Sequence, residues 1–350
     1  MMVMRLAKWS GALAFLALST VALNAAAQTD AERYQIPSTV SPEAAAALTK
    51  LYEGYAKAPK GQIFSSAQDW DRLNGMMTAG TTAGSVAFAA SQGVTVVEDR
   101  LGQVPILRIR PSHYKPTRRK LIYLHGGGYV MFSAKSSLIA PALIAAATGD
   151  EVISVDYTLA PHADWRVVTD QVIAVWRAVL ASGADPAAVG LFGDSAGGGL
   201  AAGSILKMRD LGLPLPGALW LISPAADISG SGDSYATLAG VDPVLSLSTS
   251  AQSAEAYAPK ADQKNPYVSP VYGDYSKPFP PTLIQGGTRE MLLSNFVREY
   301  QAIRSGGHVA VLDLYEGMPH DFQIHVTEAP EGKTAIARAA AFLTGHLSNR

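Results

Sequence analysis

Gly193-Asp194-Ser195-Ala196-Gly197 sets a serine between two glycines, directly after the apolar run Val189-Gly190-Leu191-Phe192. Glycines at both flanks leave room for a sharp strand-to-helix turn from which a serine hydroxyl can project, and a hydroxyl presented that way can serve as a nucleophile. The following residues, Ala196 to Leu211, mix small and apolar side chains without proline, as a helix packed on a sheet does. The same pentapeptide could also close a glycine-rich turn with no chemistry. Its partners elsewhere in the chain decide between the two.

A serine nucleophile needs a base, an acid to orient the base, and donors for an oxyanion. His125-Gly126-Gly127-Gly128 follows the apolar run Leu121 to Leu124, and consecutive glycines leave backbone N–H groups uncovered. The N–H groups of Gly127 and Gly128, with that of Ala196 behind the nucleophile, are the candidate oxyanion hole. A phosphate cradle is disfavoured, because no G-x-G-x-x-G or G-K-[ST] pattern accompanies the glycines. The candidate base is His320, in the loop Gly317-Met318-Pro319-His320-Asp321-Phe322 beyond the last predicted strand, Val309 to Leu314. His113, His125, His162, His308, His325 and His346 all fall elsewhere in the predicted order of elements. The candidate acid is Glu290, which opens a helix after the strand Thr282 to Ile284 and its turn Gly286-Gly287. Asp313 is its main rival but sits within a strand, and Asp321, next to the histidine, is expected to be poorly placed to reach the far nitrogen of its neighbour's ring. Tyr129 and Trp165 are candidates to line an acyl or alcohol pocket. This set of groups requires no metal and no organic cofactor.

The ends and the composition restrict the setting. Arg5 and Lys8, the apolar stretch Gly11 to Leu23 and Ala25-Ala26-Ala27 read as an export signal over residues 1–27, cleaved near Ala27, which implies a periplasmic or secreted protein. The apolar stretch is too short to span a bilayer, so no stable membrane anchor is expected. The 350 residues contain no cysteine, which excludes disulfides, thiolate metal sites and a cysteine nucleophile. A formal net charge of −1 and the lack of a basic run interleaved with aromatics argue against nucleic acid. The expected partner is a small molecule.

Those groups must be carried by a fold that collects them at one edge. Val94 to Leu101 and Val104 to Ile109 predict an antiparallel pair; buried strands follow at Leu121 to Leu124, Glu151 to Val155, Val189 to Phe192, Ala218 to Ile222, Thr282 to Ile284 and Val309 to Leu314. Helical stretches such as Arg166 to Ala181 and Ala196 to Leu211 lie between them. The alternation predicts an α/β domain over residues 91–350 with a mostly parallel sheet flanked by helices, whose chemistry sits at the carboxyl ends of the strands. Residues 28–90, helical at Pro42 to Ala56, predict a helical cap outside the sheet, and residues 228–280, dense in Gly, Ser, Pro and Tyr, a second cap or lid segment.

These motifs together resemble the bacterial esterases similar to mammalian hormone-sensitive lipase. The likeness runs from about residue 90 to 325 and rests on Leu124 to Gly128 with Tyr129, on Asp156-Tyr157 before Leu159-Ala160-Pro161, and on Gly193 to Gly198. Ser223-Pro224 with Asp227, Ser269-Pro270, Glu290-Met291-Leu292, and His320 with Phe322 continue it. The resemblance implies an α/β-hydrolase fold with an N-terminal helical cap, and hydrolysis of short or medium acyl esters. The chain departs from the family at Thr158 and His162, where arginine and glutamate are usual, and at Glu290, where the family usually has aspartate. The same machinery would also serve a lactonase or an amidase, and a hydrolase fold can persist in a binding protein without activity.

Overall fold

Every apolar run read as a strand enters one eight-stranded sheet. In the computed structural model, which describes residues 35–57 and 61–348, the strands are β1 (Val94–Leu101), β2 (Val104–Pro111), β3 (Lys120–Leu124), β4 (Glu151–Val155), β5 (Val189–Asp194), β6 (Ala218–Ile222), β7 (Thr282–Gly287) and β8 (Ala310–Tyr315). The expected export signal, residues 1–27, lies outside the described residues. The spatial order is β1-β2-β4-β3-β5-β6-β7-β8; β1 and β2 pair antiparallel, β2 pairs antiparallel with β4, and the remaining neighbours are parallel.

Ten α-helices join and flank the strands: α1 (Pro42–Ala56), α2 (Ala67–Ser91), α3 (Ile139–Thr148), α4 (Trp165–Ala181), α5 (Ala196–Asp210), α6 (Ser234–Thr237), α7 (Leu247–Tyr257), α8 (Leu293–Ser305), α9 (Phe322–His325) and α10 (Pro330–His346), among the described residues. The two-residue period of the strands sorts their side chains between two cores. Ile122, Leu124, Ile153, Leu191, Leu219 and Ile284 face α4, α5 and α8, where Val172, Trp176, Leu200 and Phe296 meet them. Their alternates Leu121, Tyr123, Val152, Phe192, Trp220 and Leu283 face α3 and α10 through Ile144, Ala339 and Leu343. Both faces of β3 to β7 are therefore covered, as a parallel sheet requires. No helix among the described residues is long and apolar enough to cross a membrane.

The segments outside this alternation lie over the carboxyl edge. Ser66 caps α2 in a reciprocal box with Asp69, and along the helix Asn74 accepts the Phe132 N–H (2.7 Å) and Ser85 the Leu138 N–H (2.7 Å). Residues 228–280 carry α6 and α7 and are pinned from inside by Asp242, whose carboxylate accepts the N–H groups of Val244, Leu245 and Met291. The first helix, α1, buries Ala44, Leu48 and Tyr52 against Met318, Phe322 and Val326. Its cap Ser41 accepts the Ala44 N–H (3.1 Å), and Glu331 at the start of α10 accepts both the backbone N–H and the hydroxyl of Ser41 (2.7 Å each).

Ser41 thus ends one helix and anchors it to another. Ser41→Ala removes the cap and one Glu331 contact and is expected to lower stability by about 1 kcal/mol. Urea unfolding should show the midpoint falling at an unchanged slope.

Candidate active site

The nucleophile candidate owes its position to a turn that side chains would forbid. Ser195, between β5 and α5, has φ 54° and ψ −121°, and its N–H donates to Ile222 O (2.8 Å) at the end of β6. A Cβ at Gly197 would lie 2.0 Å from Leu124 O and 2.5 Å from His125 O, so only glycine lets the helix start against the carboxyl end of β3. That approach brings the His125–Gly128 loop beside the serine. Asp194 ties the two together: its Oδ1 accepts the Gly126 N–H (3.1 Å) and the Tyr123 hydroxyl. Gly127 has φ 103° and would meet Met131 O at 2.4 Å with a Cβ, which keeps its backbone bare. Among the described residues the N–H groups of Gly127, Gly128 and Ala196 have no hydrogen-bond acceptor.

The base and acid candidates arrive from the next strands. His320 follows β8 and Glu290 follows β7. The Glu290 Oε2 is 2.9 Å from His320 Nδ1, and His320 Nε2 is 2.8 Å from Ser195 Oγ. An ionised carboxylate only accepts, so Nδ1 carries a proton and donates to Glu290; in the neutral imidazole Nε2 is then the atom that accepts from the serine hydroxyl. Glu290 Oε1 in turn accepts the Gly287 N–H and the Ser223 hydroxyl (2.9 Å). Asp313 is engaged elsewhere, with Gln285 (2.9 Å), Tyr315 (3.0 Å) and Arg338. The structure therefore brings Ser195, His320 and Glu290 into one chain of hydrogen bonds and leaves the rival aspartate out of it.

Asp321 departs from expectation. Its Oδ2 lies 3.2 Å from His320 Nε2, the nitrogen that faces Ser195. The physical reason is backbone: Asp321 is left-handed (φ 53°, ψ 35°), which folds its side chain back over the preceding ring, and a short polar side chain tolerates that region. Ser223 is a second residue without an assigned role in the sequence reading. At φ 42° beyond β6 it donates to Glu290 and accepts the Asp321 N–H (3.1 Å), joining acid and base loops through one hydroxyl. The Ser223-Pro224 pair at a strand end was the available signal. Of the pocket candidates, Tyr129 stacks on Tyr257 of α7 at 3.7 Å, while the Trp165 indole donates to Asp262 (3.0 Å) and ties α4 to the 228–280 segment. A cavity of about 280 Å³ opens nearby between α2 and α7, lined by Phe64, Trp70, Pro161 and Gln252 among others, and not by Ser195 or His320.

The site is buried, with Ser195 8% and His320 2% exposed. Burial disfavours the imidazolium of His320, yet the facing carboxyls of Asp321, Glu290 and Asp242 more than offset it and push its pKa up to about 10. Burial holds Glu290, Asp321, Asp242 and Asp194 above the usual carboxylate range.

A buried serine, a carboxylate and a histidine beyond the carboxyl ends of β5, β7 and β8, facing a bare glycine loop, can carry out acyl transfer. Residues 121–324 match the α/β-hydrolase fold family. The chain belongs to that family. As an α/β-hydrolase it is 36% identical over 273 residues to a candidate acetyl-hydrolase, LipR, of Mycobacterium tuberculosis, covering 78% of this chain and 86% of that one. It is 34% identical to an acetyl-hydrolase of Streptomyces hygroscopicus over 67% of this chain and 78% of that one. Among solved structures, a hormone-sensitive lipase from a metagenome library superposes with TM-score 0.79 at 29% identity, covering 89% of this chain and 100% of that one. The esterase EstE5 superposes with TM-score 0.79 at 30% identity, over 87% and 99%. These neighbours bear out the resemblance to hormone-sensitive-lipase-like bacterial esterases, and this α/β-hydrolase is a serine hydrolase.

The charge arrangement is open to direct measurement. A pH titration of the His320 ring by NMR should give a midpoint above the ordinary histidine value of about 6.5. Asp321→Asn removes a negative charge next to Nε2, weakens the imidazolium, and should move that midpoint down. An unmoved or higher midpoint would contradict the assignment of Asp321 as a charge partner.

Proposed function

We propose that the enzyme is an exported carboxylic ester hydrolase acting on short to medium acyl esters through an acyl-enzyme on Ser195. The hydrogen-bonded line Ser195 Oγ, His320, Glu290 carries this reading. Ser195 Oγ attacks the ester carbonyl while His320 Nε2 takes its proton; Glu290 holds the ring and stabilises the imidazolium that forms. The developing oxyanion is received by the N–H groups of Gly127, Gly128 and Ala196, where a single donor is typically worth about 2.7 to 4 kcal/mol. His320 then returns the proton to the leaving alcohol, and water repeats the sequence to release the acid. No step calls for a metal or cofactor.

Two observations support small acyl groups. The reacting atoms are enclosed, with the Tyr129–Tyr257 stack beside the oxyanion loop, where Ser253 of α7 also approaches Gly128. Relatives named acetyl-hydrolases point the same way. Export is supported by the basic, apolar and small-residue order of residues 1–27.

An ester panel of increasing chain length tests the substrate class, with turnover expected to be highest on acetyl to hexanoyl esters. Ser195→Ala should lose activity on the order of 10⁶-fold. Turnover within tenfold of wild type would remove Ser195 from the mechanism. Glu290→Gln should lose on the order of 10⁴-fold, since the amide can hold the wrong tautomer, whereas Asp313→Asn should stay near wild type. Cell fractionation should find the mature protein, shortened near Ala27, outside the cytoplasm; a full-length cytoplasmic product would refute export.

A further inference from the structure

The mechanism above uses one side of His320 Nε2 and leaves the other unexplained. Beside Ser195 Oγ at 2.8 Å stands Asp321 Oδ2 at 3.2 Å, on a residue 6% exposed. The second oxygen, Asp321 Oδ1, is buried and has no hydrogen-bond partner. The other carboxyls around the ring are engaged: Glu290 with His320, Ser223 and Gly287, Asp194 with Tyr123 and Gly126, and Asp242 with three backbone N–H groups. An unsatisfied buried carboxyl oxygen is costly, so one on a carboxyl group that stands beside a reacting centre calls for a ligand that supplies a donor.

The second half of ester hydrolysis supplies such a donor. Once Ser195 Oγ is acylated, it no longer donates to Nε2, and the attacking water must give one O–H to Nε2 while its oxygen faces the acyl carbon. Its other O–H needs an acceptor in an enclosed site. We propose that the carboxyl of Asp321 accepts this second O–H and so orients the hydrolytic water for deacylation. The water oxygen forms the new bond to the acyl carbon, and the bond from that carbon to Ser195 Oγ breaks. One water proton passes through Nε2 to Ser195 Oγ; the other leaves with the acid product. The left-handed backbone of Asp321, held by its N–H to Ser223, sets the carboxyl on this side of the ring. His320, Asp194, Glu290 and Asp242 face it, and the phenols of Tyr55 from α1 and Tyr123 from β3 lie near enough to feel its charge.

This role rests on the ester-hydrolase reading, and the test separates the two. Asp321→Gly removes the carboxyl while keeping the left-handed backbone without strain, and Asp321→Asn keeps an acceptor oxygen in the same place. With p-nitrophenyl acetate in a stopped-flow instrument, Asp321→Gly should lower kcat and KM together by about tenfold or more relative to Asp321→Asn, because both variants lose the charge beside the imidazolium and only the glycine one misplaces the water of deacylation. Its kcat/KM should match that of Asp321→Asn, and a burst approaching one p-nitrophenol per site should appear. Asp321→Asn should recover most of kcat. An unchanged kcat in Asp321→Gly would overturn the role, as would kcat and kcat/KM falling by one factor without a burst, or an asparagine variant as slow as the glycine one. Activity retained by Ser195→Ala would instead overturn the ester mechanism itself, whereas a fully active Asp321→Gly leaves that mechanism standing.

Discussion

At φ 54° and ψ −121° the backbone of Ser195 occupies a region that L-residues avoid, at a cost of about 1 to 3 kcal/mol. The surroundings hold it there. Its N–H is bonded to Ile222 O, its carbonyl accepts from Gly199 and Ala225, and Gly197 packs on the carbonyl of Leu124. These contacts join β3, β5, β6 and α5 at one point. Relaxing the turn would part the serine from both the histidine and the glycine loop, so the strain and the site are one arrangement.

The loops beyond β6, β7 and β8 converge through a different device. Two apolar cores hold the strands in register and α1 packs on the loop after β8, but polar contacts set the catalytic groups on those loops against one another. That task falls to Glu290 and Ser223, which between them accept or donate to Gly287, His320 and Asp321. Asp242 adds the 228–280 segment by taking the Met291 N–H, immediately after the acid. A polar network that is nearly satisfied throughout specifies a single geometry more sharply than apolar contact does.

Much of this was legible in the sequence. Each strand was, because runs such as Glu151 to Val155 are apolar and short and are punctuated by turn residues. The order of nucleophile, acid and base was legible as well, since chemistry at a sheet edge restricts which loops can contribute. Helix α2 was not recognisable as one element of 25 residues: Gly75, Gly80, Gly84 and many alanines and threonines leave it almost without an apolar stripe, and its stability comes from the capping box and contacts to the sheet domain. Asp321 was misjudged for a related reason. Its reach depends on a positive φ, and side-chain identity alone does not reveal which aspartates adopt one. Trp165 read as a pocket aromatic because its indole partner, Asp262, is distant in sequence and joined to it only by folding.

The loop bearing His320 rests on α1, which is fastened by Ser41 to Glu331 across 290 residues of sequence. During synthesis the serine turn and the glycine loop can assemble from the middle of the chain, but the docking surface of α1 is complete only when residues 318 to 331 have left the ribosome. Contacts of such separation close late because of their loop entropy. The order of assembly therefore delivers the nucleophile first and its base last, and a chain truncated near its carboxyl end would carry a serine that nothing has armed.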